Sequence, residues 1–182
     1  MTTEEILIQR ARHFEEDALA EIYDNFSPGV FRYASRLLGD VQLAEDCVAD
    51  TFLRYLQAIR SNGGPQEHLQ AYLYRIAHNW VTDYYRRQPP YALQLVDEIP
   101  DGSDDFRKTI SNQMDEKHVR GAILQLTPDQ RQVIVLKYLE GFDNERVALS
   151  MNKPVGAVKA LQHRALDALR RLLIPVMEVK YE

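Results

Sequence analysis

Two adjacent prolines followed by an acidic stretch divide this chain into two helical halves, and that division limits the fold more than any other feature. Pro89-Pro90 stops a helix, because the residue before a proline avoids the helical region and neither proline can donate a backbone hydrogen bond. Between there and Thr127 come Asp97, Glu98, Asp101, Asp104 and Asp105 with Pro100 and Gly102, a composition too polar to bury a core until helix character returns near Thr109. Strand signals are scarce on both sides, while helix-period patterns with start and stop residues recur along nearly the whole length. The expected fold is all-α. Two small helical domains, 1–88 and 119–182, are joined by an acidic flexible linker over 89–118.

In the first half the patterns predict helices near Thr3 to His13 and near Asp17 to Phe26, the second burying Ala18, Leu19, Ile22, Tyr23 and Phe26. Ser27-Pro28 reads as a break. Serine as cap and proline as first helical residue then launch a separate helix through Val30, Phe31, Ala34, Leu37 and Leu38, closed by Gly39. A further helix runs from Asp40 to about Ile59, with Glu45, Asp46 and Asp50 on its exposed side. After the loop Ser61-Asn62-Gly63-Gly64-Pro65, the last helix of this half spans about Glu67 to Arg87, rich in aromatic residues and basic at its end.

The second half carries a helix-turn-helix. Thr127-Pro128-Asp129-Gln130 forms a capping box that opens a helix through Val133, Leu136 and Leu139 to Gly141. Asp143 caps the next helix, with Val147, Ala148 and Met151 inward, and Asn152 supplies a left-handed turn. Pro154 starts the second helix of the motif. Its apolar stripe is Val155, Val158, Leu161, Ala165, Leu166 and Leu169, and the opposite face presents Lys159, Gln162, His163 and Arg164, as a recognition helix does in a major groove. Residues 144–173 hold six basic and two acidic side chains, a net +4, in a chain of formal net charge −5. The positive charge is therefore a local patch, which points to duplex DNA.

Composition excludes several other classes. With 182 residues, 45% hydrophobic and 27% charged, the chain is too apolar for general disorder, and no apolar run approaches the roughly 20 residues a bilayer requires. The opening Met1-Thr2-Thr3-Glu4-Glu5 is polar and acidic where a signal peptide is basic and then apolar, so the expected location is cytoplasmic, without membrane insertion. The single cysteine, Cys47, sits among Ala44, Val48 and Phe52 at helical spacing and reads as a buried structural thiol. A carboxylate-bridged metal enzyme needs Glu three residues before His, and none of the five histidines has it. No phosphate-binding glycine loop or nucleophile elbow occurs. Neither catalytic residues, nor metal, nor cofactor is expected.

Four further segments carry a family resemblance. They are Ala44-Glu45-Asp46-Cys47-Val48-Ala49-Asp50-Thr51-Phe52-Leu53-Arg54; Tyr72-Leu73-Tyr74-Arg75-Ile76-Ala77-His78-Asn79-Trp80 with Asp83-Tyr84; Leu126-Thr127-Pro128-Asp129-Gln130-Arg131-Gln132-Val133 with Tyr138-Leu139-Glu140-Gly141; and Val155-Gly156-Ala157-Val158-Lys159-Ala160 with His163-Arg164-Ala165. In this order, these segments resemble the extracytoplasmic-function (ECF) group of bacterial RNA polymerase sigma factors, over about residues 15 to 173. Departures from the usual pattern fall at Ala49, Asp50, Tyr72, Asn152 and Lys153.

The resemblance implies a transcription initiation factor, not an enzyme, that directs core RNA polymerase to promoter DNA. It assigns core docking to Glu45, Asp46 and Asp50. It assigns the non-template strand of the minus-10 element to Asn79, Trp80, Tyr84, Arg86 and Arg87, with a flipped base received by the loop from Ser61 to Glu67. The minus-35 duplex falls to Lys159, His163 and Arg164, with Ala160 in close apolar contact. It admits an anti-sigma factor as a partner, and the linker carboxylates as imitators of a phosphate backbone. The alternative is a two-domain helix-turn-helix regulator that acts without core polymerase, its first domain binding a signal or partner.

Overall fold

A computed structural model describes residues 2–88 and 116–180, with side chains through residue 173. All regular structure among these residues is helical. The five linker carboxylates from Asp97 to Asp105, and helix onset near Thr109, lie outside the described residues.

The first domain has four helices: α1 (Thr3–Arg12), α2 (Glu16–Leu38), α3 (Val41–Arg60) and α4 (Leu69–Arg87). Helix α2 corrects the expected break at Ser27-Pro28, because Pro28 lies inside one continuous 23-residue helix. The reason is phase. Ala18, Ile22, Val30, Tyr33, Ala34 and Leu37 all bury on one side, so the apolar stripe passes Pro28 without shifting. An interior proline costs about 3 kcal/mol, whereas each large apolar side chain fully buried returns roughly 1.5–3 kcal/mol, and the helix therefore continues. It stops at Gly39, whose φ of 66° closes it in the left-handed conformation. Asp40 caps α3 by accepting from the Leu43 amide at 2.9 Å.

The four helices share a core of Ile8, Ile22, Tyr33, Leu37, Cys47, Tyr55, Leu73 and Val81. Cys47 is buried as expected, and burial pushes its thiol up to about 12, which keeps it protonated and unreactive. At the centre, Tyr33 Oη lies 2.7 Å from His78 Nδ1, and Thr82 Oγ1 lies 3.4 Å from His78 Nε2.

The described part of the second domain opens with helix over residues 116–125, α5, followed by α6 (Pro128–Ile134), α7 (Asn144–Met151) and α8 (Val155–Lys180). The capping box forms as read, with Gln130 N and Thr127 Oγ1 3.3 Å apart and the reciprocal bond also 3.3 Å. Beyond α6 the ladder widens to a π-helical turn over Val135–Leu139. It leaves Tyr138 and Leu139 exposed, so Leu139 is not the inward residue the helical period predicted. Asp143 caps α7, accepting from Arg146 N at 2.8 Å, and Asn152 turns the chain at φ 53°. Val133, Leu136, Phe142, Val147, Val158 and Ala165 form the core beneath the motif.

The domains are packed on one another, α4 against α7. Arg75 donates from Nη2 to Leu149 O at 2.9 Å and from Nε to Ser150 O at 3.3 Å, satisfying carbonyls at the C-terminal end of α7. Arg146 bonds Gln70 and lies 4.1 Å over the Phe142 ring, which in turn meets Tyr74 at 5.1 Å. The Glu140 side chain is only 3% exposed and faces Arg36, Arg32 at 3.8 Å, and the Tyr74 hydroxyl, which donates to it at 3.2 Å. Gly29 makes room for that hydroxyl. A Cβ there would fall 2.7 Å from it.

Candidate nucleic-acid and polymerase interfaces

The recognition helix α8 presents Lys159, Ala160, His163 and Arg164 to solvent, all on the side away from Val158 and Ala165. His163 Nε2 lies 3.5 Å from the Asp167 carboxylate, which also meets Arg170 Nη1 at 3.4 Å on the same exposed face. Arg164 folds back toward Ala160 O at 3.3 Å. Gln162 is different. Expected on the exposed face, it is half-buried and donates to Tyr138 Oη at 2.6 Å, because its helical angle lies nearer the core stripe than the outer face. Lys153 meets Asp129 at 3.2 Å and ties the turn to α6.

On α4, Leu73, Ala77, His78 and Val81 point into the first domain, leaving the opposite side of the last two turns open. Asn79, Arg86 and Arg87 are exposed, and Trp80 and Tyr84 are half-buried. The two rings lie parallel, with centroids 5.9 Å apart and an interplanar angle of 1°. Tyr85 turns the other way, donating to Leu37 O at 2.7 Å. Arg86 pairs with Asp83 at 3.2 Å. The result is a short aromatic platform flanked by an amide and two guanidinium groups, which suits unstacked bases on a charged backbone.

On α3, Glu45 and Asp46 are exposed, while Asp50 is half-buried and bonded to Arg54 at 2.6 Å. The acids do not stand alone. Val41 (64% exposed) and Leu53 (51%) are large apolar side chains in water, and with Glu45 and Ala49 they make a stripe at four-residue spacing. The family resemblance points to the acids alone, whereas Val41 and Leu53 share the same outer face, legible as apolar residues outside the buried stripe.

Other groups at the domain boundary had no signal of their own. Arg131 is buried, 6% exposed, where its guanidinium donates to Leu124 O and Leu126 O and sits 5.6 Å over the Tyr85 ring. Burial lowers its pKa. Arg75 stands within the Tyr72–Trp80 motif, but its hold on α7 depends on a residue pair far apart in sequence. A groove of about 930 Å³ runs between the loop before α4 and the helix-turn-helix, lined in part by Gly64, Pro65, His68, Tyr72, Arg75 and Lys153.

A parallel, half-buried aromatic pair on one domain and a basic helix-turn-helix on the other fit the class of two-module nucleic-acid-binding proteins. Comparison with known proteins agrees. Residues 22–89 match the family model Sigma-70 region 2, and residues 118–169 match Sigma-70, region 4. The chain is 30% identical over 176 residues to RNA polymerase sigma factor CarQ of Myxococcus xanthus, covering 91% of this chain and 95% of that one. It is 31% identical over 170 residues to ECF RNA polymerase sigma factor BldN of Streptomyces coelicolor, covering 92% of this chain but 64% of that relative's length. The solved structure of CnrH in complex with the cytosolic domain of CnrY shares the fold, with a TM-score of 0.70 at 22% identity over 96% of this chain and 99% of that one. The chain belongs to the ECF group of RNA polymerase sigma factors. Members of this family are transcription initiation factors without enzymatic activity. Among the described residues, no helix is long and apolar enough to cross a membrane.

Proposed function

We propose that this chain binds core RNA polymerase through the outer face of α3, directs it to particular promoters, helps open the minus-10 element with the end of α4, and reads the minus-35 element with α8. Docking uses Glu45, Asp46 and Asp50 together with Val41 and Leu53, since an apolar patch rimmed by charge fits a protein partner better than charge alone. Trp80 and Tyr84 stack on bases that leave the duplex, Asn79 bonds a base edge, and Arg86 and Arg87 hold the strand. The loop from Ser61 to Glu67 receives one flipped base. Lys159, His163 and Arg164 contact base edges and phosphates of the minus-35 duplex, with Ala160 against them. Asp97, Glu98, Asp101, Asp104 and Asp105 occupy the nucleic-acid channel until RNA displaces them. The chain works in the cytoplasm, with polymerase and DNA, and an anti-sigma factor is its expected negative regulator.

The observation that supports this reading most is the Trp80–Tyr84 pair, two parallel rings left half-open beside exposed Asn79 on a helix whose other side is packed in the core. A regulator that acts on duplex DNA alone has no use for such a platform. The test is reconstitution with core polymerase. Trp80→Ala should slow open-complex formation about tenfold while leaving closed-complex affinity near the parent value, because stacking is worth roughly 1–3 kcal/mol per base. Lys159→Ala together with Arg164→Ala should weaken the closed complex and spare melting. Specific duplex binding by the free protein, with indifference to core polymerase, would support the regulator instead.

A further inference from the structure

Helix α1 lies outside the segment matched to Sigma-70 region 2, yet two of its side chains grip the loop before α4 at both ends. Arg12 Nη2 donates to Gly63 O at 2.8 Å and shares its second N–H between Gly64 O and Pro65 O, both at 3.4 Å. Glu4 accepts from the other end. Its Oε1 takes the Leu69 amide at 3.1 Å and its Oε2 the His68 amide at 3.3 Å. Helix α4 has no cap of its own, because the His68 side chain makes no capping bond, so the carboxylate of a distant helix does that work.

The loop needs external support. Within seven residues Asn62, Gly64 and His68 all take positive φ, at 58°, 81° and 56°, and two of these are not glycine. Such a backbone holds its shape only where its surroundings fix it. Glu4 and Arg12 are two turns apart, about 12 Å along the axis, which matches a grip on both ends of one loop. Helix α1 can act as a fixed bar, since Leu7, Ile8 and Ala11 anchor it in the first-domain core. The loop in turn forms one wall of the groove, with Gly64, Pro65, His68 and Tyr72 beside the cations Arg75 and Lys153 and the carboxylates Glu67 and Glu145.

We propose that α1 is a positioning element, in which Glu4 and Arg12 set the shape of the 61–68 loop as a receptor for one unpaired nucleobase of the promoter strand. This rests on the minus-10 role given to the loop above. Arg12 reaches all three carbonyls through Nη2 alone, and the rigid guanidinium plane fixes where that nitrogen sits, which the flexible stem of lysine does less well. Neither residue touches the base. Both act through the backbone of the loop and decide whether its wall is in place when the base arrives.

The test uses the full chain with core polymerase and fluorescent non-template oligonucleotides spanning the minus-10 element, intact or abasic at each position in turn. With the parent protein, one abasic position should weaken binding about tenfold. If no position matters, the base-capture reading of the loop falls, whatever the variants do. In Arg12→Lys and Glu4→Gln, affinity for the intact strand should drop to that of the abasic strand. Affinity for the abasic strand, for a minus-35 duplex and for core polymerase should stay at parent values. Retained discrimination overturns the proposal, as does an equal loss for intact and abasic strands, which is what general loosening of the domain gives. Arg12→Met extends the series if it folds by circular dichroism, and the two milder variants decide the matter if it does not.

Discussion

The residue whose altered chemistry bears most directly on stability just below neutral pH is His78. Burial first, and the nearby Arg131 guanidinium second, lower it from 6.5 to about 4, with Asp129 opposing weakly. At neutral pH the ring is uncharged. Nδ1 can then accept from Tyr33 while Nε2–H points to Thr82, and both ring nitrogens are satisfied. The consequence for stability has a definite sign. Above pH 6.5 the ring is neutral folded and unfolded, so it adds no pH dependence. As pH falls from 6.5 toward 4 only the unfolded chain takes up the proton, and stability is lost by about 3 kcal/mol at most. Thermal melts between pH 7 and pH 4.5 should show a falling midpoint. His78→Asn keeps an acceptor for Tyr33 and removes the titration, so its midpoint should change less over that range. Parallel curves for the two proteins would assign the slope to another group.

At the level of the element, α2 is where local rules and the fold disagree, and the disagreement is measurable. Pro28 is exposed inside the helix, lacks the N–H that would bond the carbonyl four residues back, and makes no contribution to the core. Pro28→Ala should therefore stabilise the first domain by about 1–3 kcal/mol, several degrees in melting temperature, with α2 otherwise unchanged. A lower midpoint would show that a kink at this position is needed for the packing of Tyr33 and Leu37. The same contrast explains what could be read in advance. The Thr127 box, the Asp143 cap, the Asn152 turn and the buried Cys47 were legible because each depends on side chains within a few residues of one another. The Ser27-Pro28 break looked equally good locally and failed, since continuity of a buried stripe is settled by helices elsewhere in the domain. Val41 and Leu53 are legible as apolar residues off the buried stripe, but no family motif singles them out. Glu4, Arg12, Arg75 and Glu140 act through partners 50 or more positions away, and no local pattern announces them.

At the scale of the whole molecule, the packed domains and the proposed promoter contacts are incompatible without movement. Elements named minus-10 and minus-35 are about 25 base pairs apart, roughly 85 Å at about 3.4 Å per pair. A compact chain of this length has a radius of gyration of only about 16 Å. Opening must break the α4–α7 contact, and Glu140 is the most committed group there, a nearly buried carboxylate whose partners Arg32, Arg36 and Tyr74 all belong to the other domain. Removing one member of a buried pair can cost 3–5 kcal/mol, but both arginines here keep solvent contact, at 58% and 38% side-chain exposure, so about 1–2 kcal/mol is the better expectation. That is enough to raise the open fraction roughly tenfold. Glu140→Ala should therefore enlarge the free protein in small-angle X-ray scattering and speed its assembly with core polymerase, while leaving the assembled complex's promoter preference unchanged. Glu140→Arg combined with Arg36→Glu should restore the compact form if the pair itself is what holds the domains together. An Ala variant that remains as compact as its parent would place the closing energy instead in the Phe142–Tyr74 and Arg75–α7 contacts, and the next substitution to make would be Arg75→Met.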